Sequence, residues 1–177
     1  MLLPLQREKL YAKLIKMGDY AVIEYSAEKI TELMRKKISL NTVEAAMAVE
    51  AVVKLKTKPR KVFVDSPDSI PSKFERRMRK FYGGEKGIEF VCENKADAKY
   101  PVVSAASIIA KVLRDRQILR LSKEIGDFGS GYTSDPKTIA FLESHWKRED
   151  VQRHLRHEWA TIKNKRSTQS KLEKFFG

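Results

Sequence analysis

The chain has 177 residues, 42% hydrophobic and 33% charged, enough for one globular core with a tail and too little for two large ones. Lys and Arg number 36 against 23 Asp and Glu, a net charge of +13 that favours a polyanionic partner, nucleic acid above all. A lone cysteine, Cys92, excludes an internal disulfide, and no uncharged apolar run approaches the roughly 20 residues of a membrane span, because Pro101 to Ala110 is cut off by Lys111. A reducing, cytoplasmic setting without membrane contact is the expectation.

In chain order, Leu10, Leu14 and Met17 fall at helical spacing and Gly18-Asp19 closes that segment. Tyr20 to Tyr25 is β-branched and aromatic and predicts a strand; Ser26 caps a helix carrying Ile30, Leu33 and Met34. Asn41 opens a helix from Thr42 to Leu55, apolar on most sides and therefore expected to be buried. Lys61 to Val64, a helix around Phe74 to Phe81, and Gly87 to Cys92 read as a parallel strand-helix-strand unit. A long helix runs from Pro101 to about Ile125, followed by a glycine-rich loop to Tyr132. Asp135-Pro136 starts a helix through Trp146, and a basic helix is expected over Val151 to Lys163.

In an open α/β sheet the ligand crevice lies beyond the carboxyl ends of the strands, where Asp65 stands and where Asp97 follows the next strand. Two carboxylates on adjacent parallel strands suit Mg²⁺, which takes carboxylate oxygens together with waters and phosphates. The plainer account makes Asp65 and Asp68 turn residues in Asp65-Ser66-Pro67-Asp68, and spacing alone favours it.

The stretch Lys95-Ala96-Asp97-Ala98-Lys99-Tyr100-Pro101-Val102-Val103-Ser104-Ala105-Ala106-Ser107-Ile108-Ile109-Ala110-Lys111-Val112, with Arg114-Asp115-Arg116 and Gly129-Ser130-Gly131-Tyr132 after it, resembles ribonuclease HII, especially its archaeal members. The resemblance implies a ribonuclease H-like α/β fold, a mixed sheet flanked by helices, with C-terminal helices and a flexible tail. It also implies cutting of RNA strands paired to DNA, and of single ribonucleotides embedded in DNA, by carboxylates that hold Mg²⁺ or Mn²⁺. Carried over by motif, Asp65 and Asp97 match the third and fourth of the family's four carboxylates. Lys95 and Lys99 would meet backbone phosphate, Arg156 would touch phosphate as well, and the Tyr132 ring would pack on the deoxyribose after the ribonucleotide. The family's opening strand, with Asp-Glu-Ala-Gly-Arg-Gly and the first two carboxylates, has no counterpart here, so the resemblance implies an N-terminally truncated chain without the middle of its sheet.

The expected organisation is a partial catalytic domain over 1–147, a basic helical segment over 148–165 and a tail over 166–177. In that tail, Gln169, Leu172, Phe175 and Phe176 resemble the peptide by which replication enzymes bind the sliding clamp PCNA. One turn of 3₁₀ helix would gather Leu172 and the two phenylalanines into an apolar anchor. Two other functions stand beside the endonuclease: a catalytically incomplete fragment that only binds duplex and clamp, and a generic basic structural protein such as a ribosomal component, which the Asp97 to Lys111 motif argues against.

Overall fold

The computed structural model describes residues 3–83 and 87–158, which fall into two compact units: one of residues up to Glu24 together with Ser39–Arg116, the other of Tyr25–Ile38 together with the residues from Gln117 on. The tail residues Gln169, Leu172, Phe175 and Phe176 lie outside the described residues.

The first unit opens with α1 (Pro4–Met17), whose first turn combines a proline that needs no N–H with the Gln6 side chain, which accepts the Leu3 N–H at 2.9 Å. Next comes α3 (Leu40–Lys54), after α2 (Ala27–Arg35) of the second unit. Its N-cap is Ser39, whose hydroxyl accepts the Thr42 N–H, not Asn41; a cap is set by which side chain stands just outside the first turn, and here that turn begins earlier than expected. Val43, Ala45, Val49 and Val52 are buried, whereas Val53 is 53% exposed, so α3 buries one stripe and not its whole circumference.

The strand-helix-strand unit consists of β1 (Lys61–Asp65), α4 (Pro71–Phe81) and β2 (Glu89–Glu93), with the strands parallel and Val62, Val64 and Asp65 opposite Phe90, Cys92 and Glu93. Because side chains alternate along a strand, Phe90 and Cys92 face one side. There they join Val49 and Val52 of α3 and Phe74 and Met78 of α4 in a core that Val62 and Val64 complete. Phe63 faces the other side, where its ring lies 4.4 Å from that of Tyr100. After β2 come α5 (Ala96–Lys99) and the long helix α6 (Pro101–Ile125), whose residues up to Arg116 belong to this unit. Arg116 forks onto both oxygens of Glu8 at 2.7 and 3.1 Å, Arg7 meets Asp115 at 2.5 Å, and the Arg116 guanidinium stands 4.5 Å over the Tyr11 ring, so α1 is fastened to α6 by charge.

The expected strand over residues 20–25 does not form: the sheet is two-stranded, β1 with β2, and no other strand is present among the described residues. Strand chemistry without a ladder partner leaves backbone donors facing solvent, and Tyr20 and Val22 are 43% and 37% exposed. The sheet is thus smaller than the mixed one expected.

The second unit holds α2 (Ala27–Arg35), the end of α6, α7 (Pro136–His145) and α8 (Glu149–Gln152). Ser26 caps α2 by accepting the Lys29 N–H, and Asp135 caps α7 by accepting that of Lys137, both as expected. Ile125, Phe128, Leu142 and Val151 form its core, joined by Ile118, Leu121, Phe141 and Leu155. The helix expected over 151–163 is not formed over 153–158: α8 ends at Gln152, Val151 within it is 1% exposed, and turns follow up to residue 158, while residues 159–163 lie outside the described residues. Once Val151 and Leu155 have entered the core, Arg153 and His154 are left exposed, with His154 Nε2 3.9 Å from a Glu124 oxygen, and the His157 N–H turns instead to the Thr31 hydroxyl at 3.2 Å.

Candidate active site

Parallel strands place their C-terminal residues side by side, and here those residues are Asp65 and Glu93, partners in register. The loops that leave them are tied together. Ser66 donates its N–H to the Glu93 carbonyl at 2.9 Å, and the Asn94 side chain donates to the Ser66 and Asp68 carbonyls at 3.1 and 2.8 Å. Asp68 is ion-paired with Arg77 of α4, and its N–H goes to the Ser66 hydroxyl; the turn expected at Asp65-Ser66-Pro67-Asp68 is therefore present at Asp68, but the Asp65 side chain takes no part in it.

Asp65 instead accepts the Ala96 N–H on Oδ1 at 3.1 Å, at the foot of α5, so its carboxylate meets the backbone of the residue that precedes Asp97. Asp97 is the second residue of α5 and is half-buried, and no hydrogen bond or ion pair from the described residues occupies its carboxylate. One Asp65 oxygen and both Asp97 oxygens are thereby left for other ligands. Hard oxygen donors of this kind, one at the end of β1 and one on the short helix that follows β2, fit Mg²⁺ or Mn²⁺. Among the described residues no group of three or more His, Cys, Asp or Glu gathers into a metal cluster.

The two lysines beside Asp97 differ. Lys95 is exposed and sits in the left-handed region at φ +56°, and its side chain has no partner among the described residues. Lys99 is held by Glu93, with Nζ 2.7 and 3.0 Å from the two oxygens, and Tyr100 donates its hydroxyl to the same carboxylate at 2.6 Å. The Lys99 ammonium first, then the Tyr100 hydroxyl, hold the Glu93 carboxyl below the usual carboxylate range.

Sequence reasoning missed Glu93, Asn94 and Tyr100. For Glu93 the signal was available: once Lys61 to Val64 and Gly87 to Cys92 are taken as parallel strands, the residue after Cys92 stands beside Asp65.

Tyr132 belongs to the second unit and is 54% exposed on the loop between α6 and α7. That loop is internally bonded. Asp135 accepts both the N–H and the hydroxyl of Ser130 at 2.7 Å, Gly131 donates to the Thr138 hydroxyl at 3.0 Å, and Thr138 donates in turn to the Phe128 carbonyl at 2.8 Å. Arg156, in the same unit, is half-buried beyond α8.

The family model for ribonuclease HII matches residues 1–162. The chain belongs to the ribonuclease HII family. A ribonuclease HII of Pyrococcus horikoshii is 42% identical to it over 98% of this chain and 80% of that protein. The crystal structure of ribonuclease H2 from Pyrococcus horikoshii OT3 superposes with a TM-score of 0.81 at 42% identity, over 93% of this chain and 76% of that one. The structure of the PCNA:RNase HII complex from Archaeoglobus fulgidus gives 0.79 at 38% identity, over 89% and 75%. The ribonuclease H fold expected from the sequence is therefore the fold of this chain, and its family is one of endonucleases acting on RNA/DNA hybrids.

Proposed function

We propose that this ribonuclease HII hydrolyses the RNA strand of RNA/DNA hybrids and ribonucleotides embedded in DNA, leaving 5′-phosphate and 3′-hydroxyl ends. The observation that supports this reading is the bond from the Ala96 N–H to Asp65 at the base of the helix that bears Asp97; by motif these two residues would be the third and fourth family carboxylates. Asp65 and Asp97 would hold the divalent ion. When bound, that ion supplies Lewis-acid polarisation of the phosphodiester and activation of water for in-line attack. Lys95 and Lys99 offset phosphate charge beside Asp97, Arg156 adds a phosphate contact, and Tyr132, on its internally bonded loop, presents a ring to the sugar where discrimination between ribose and deoxyribose is made.

The test is cleavage of a DNA duplex containing one ribonucleotide, with Mg²⁺ and with chelator. Asp65→Asn and Asp97→Asn should each lower the metal-dependent rate by more than about a hundredfold, the scale on which loss of one well-placed electrostatic group acts; unchanged rates in both would refute the assignment.

We also propose that Gln169, Leu172, Phe175 and Phe176 bind the sliding clamp, supported by their spacing and by the clamp complex of the Archaeoglobus fulgidus relative. Replacing both phenylalanines by alanine should weaken clamp binding at least tenfold, as loss of anchor residues does, and leave hydrolysis of short duplexes unchanged. Equal clamp affinity, measured by surface plasmon resonance, would overturn it.

A further inference from the structure

A helix of four residues cannot hold its own place, since nucleating a single turn is unfavourable without outside contacts. Yet α5 carries Asp97, and its entry residue Lys95 adds a left-handed backbone that costs about 1 kcal/mol in a residue with a Cβ. The helix is fixed by two side chains from the strand ends. At its start, Asp65 of β1 takes the Ala96 N–H. At its end, Glu93 of β2 takes the Lys99 ammonium on both oxygens and the Tyr100 hydroxyl on one. Tyr100 also lies against Phe63, two residues before Asp65 on the same strand face, so the second anchor returns to β1. Asp97 stands between the anchors with its own carboxylate unoccupied by any described residue.

We propose that Glu93 is a positioning residue for the Asp65 and Asp97 carboxylate pair: by holding Lys99 and Tyr100 it fixes the far end of α5 and thereby the placement of Asp97 relative to Asp65. This rests on the reading that Asp65 and Asp97 share a divalent ion. Glu93 itself is occupied by Lys99 and Tyr100, so its part is to orient and not to ligate. It also restrains Lys99, whose ammonium would otherwise be free to fold toward the Asp97 carboxylate and compete with the cation.

The test is Mn²⁺ binding to the full chain, followed by water proton relaxation, which needs no turnover. Glu93→Asp keeps the charge and shortens the reach, and Tyr100→Phe keeps the ring against Phe63 and removes only the hydroxyl. Each should weaken Mn²⁺ binding by about tenfold, the usual cost of removing a partner behind a metal ligand. Lys99→Met should weaken it too, whereas a purely electrostatic role for this cluster predicts tighter binding once a cation is removed. Tyr100→Phe is the variant safest for folding, and its circular dichroism and melting curve should match those of the parent. Parental Mn²⁺ affinity in both Glu93→Asp and Tyr100→Phe would overturn the proposal while leaving the Asp65 and Asp97 reading intact. Parental affinity in Asp97→Asn would overturn that reading, and this inference with it.

Discussion

Gly129 shows how tightly one position can be constrained. Its φ of +76° is poorly tolerated by residues with a side chain, and a Cβ there would stand 2.6 Å from Asp135 Oδ2, the atom that holds Ser130. Gly129→Ala should cost about 1–3 kcal/mol in urea denaturation, the range for a residue forced into such a conformation. The hydroxyl and N–H of Ser130, with the Lys137 N–H, hold the Asp135 carboxyl down to about 2. A depressed carboxylate contributes stability above its unfolded value near about 4, and that contribution is lost as pH falls through about 2. The pH dependence of the melting temperature between those values should flatten in Asp135→Asn; an unchanged profile would show that the loop does not depend on this charge. Burial pushes the Cys92 thiol up to about 11, in keeping with its place in the core beside Met78, so it should resist alkylation at pH 8 until the protein unfolds. Local chemistry of this kind was legible: Ser26 and Asp135 were readable as caps because a cap needs only its neighbours. The Asp65 bond to Ala96 was not, because it joins residues 31 apart in sequence.

At the scale of elements, helices with a clear apolar stripe or a proline at their first turn stand where the sequence places them, α1, α4 and α6 among them. The misreadings share one cause. Strand propensity in Tyr20 to Tyr25 reports a surface that would fit a sheet, and says nothing about whether a neighbouring strand is there to receive its N–H groups. Likewise the basic run after Val151 has helix-forming residues, but two apolar anchors decide where α8 stops. With only two strands among the described residues, the first unit depends on α3 and α4 for its core, and Phe74 and Met78, with Val112, are its largest fully buried side chains. Phe74→Ala should therefore cost about 3–5 kcal/mol, against no more than about 0.5 kcal/mol for Val53→Ala on the exposed side of α3. Comparable losses in both would mean that the core is not where the packing places it.

For the whole molecule, composition alone pointed to nucleic acid, and the motif around Asp97 narrowed this to one nuclease family; the fold then followed. What the sequence did not carry was the order within the site: which carboxylate is engaged, which lysine is free and what fixes α5. These depend on parallel register, which exists only after folding. The central claim is that Asp65 and Asp97 jointly hold a divalent cation, and it is tested most directly by anomalous diffraction from crystals grown with Mn²⁺. The account predicts a peak about 2.1 Å from oxygens of both residues, at the distance expected for a small hard cation. Well-ordered Asp65 and Asp97 carboxylates directed away from each other, with no shared Mn²⁺ at saturating concentration, would contradict it.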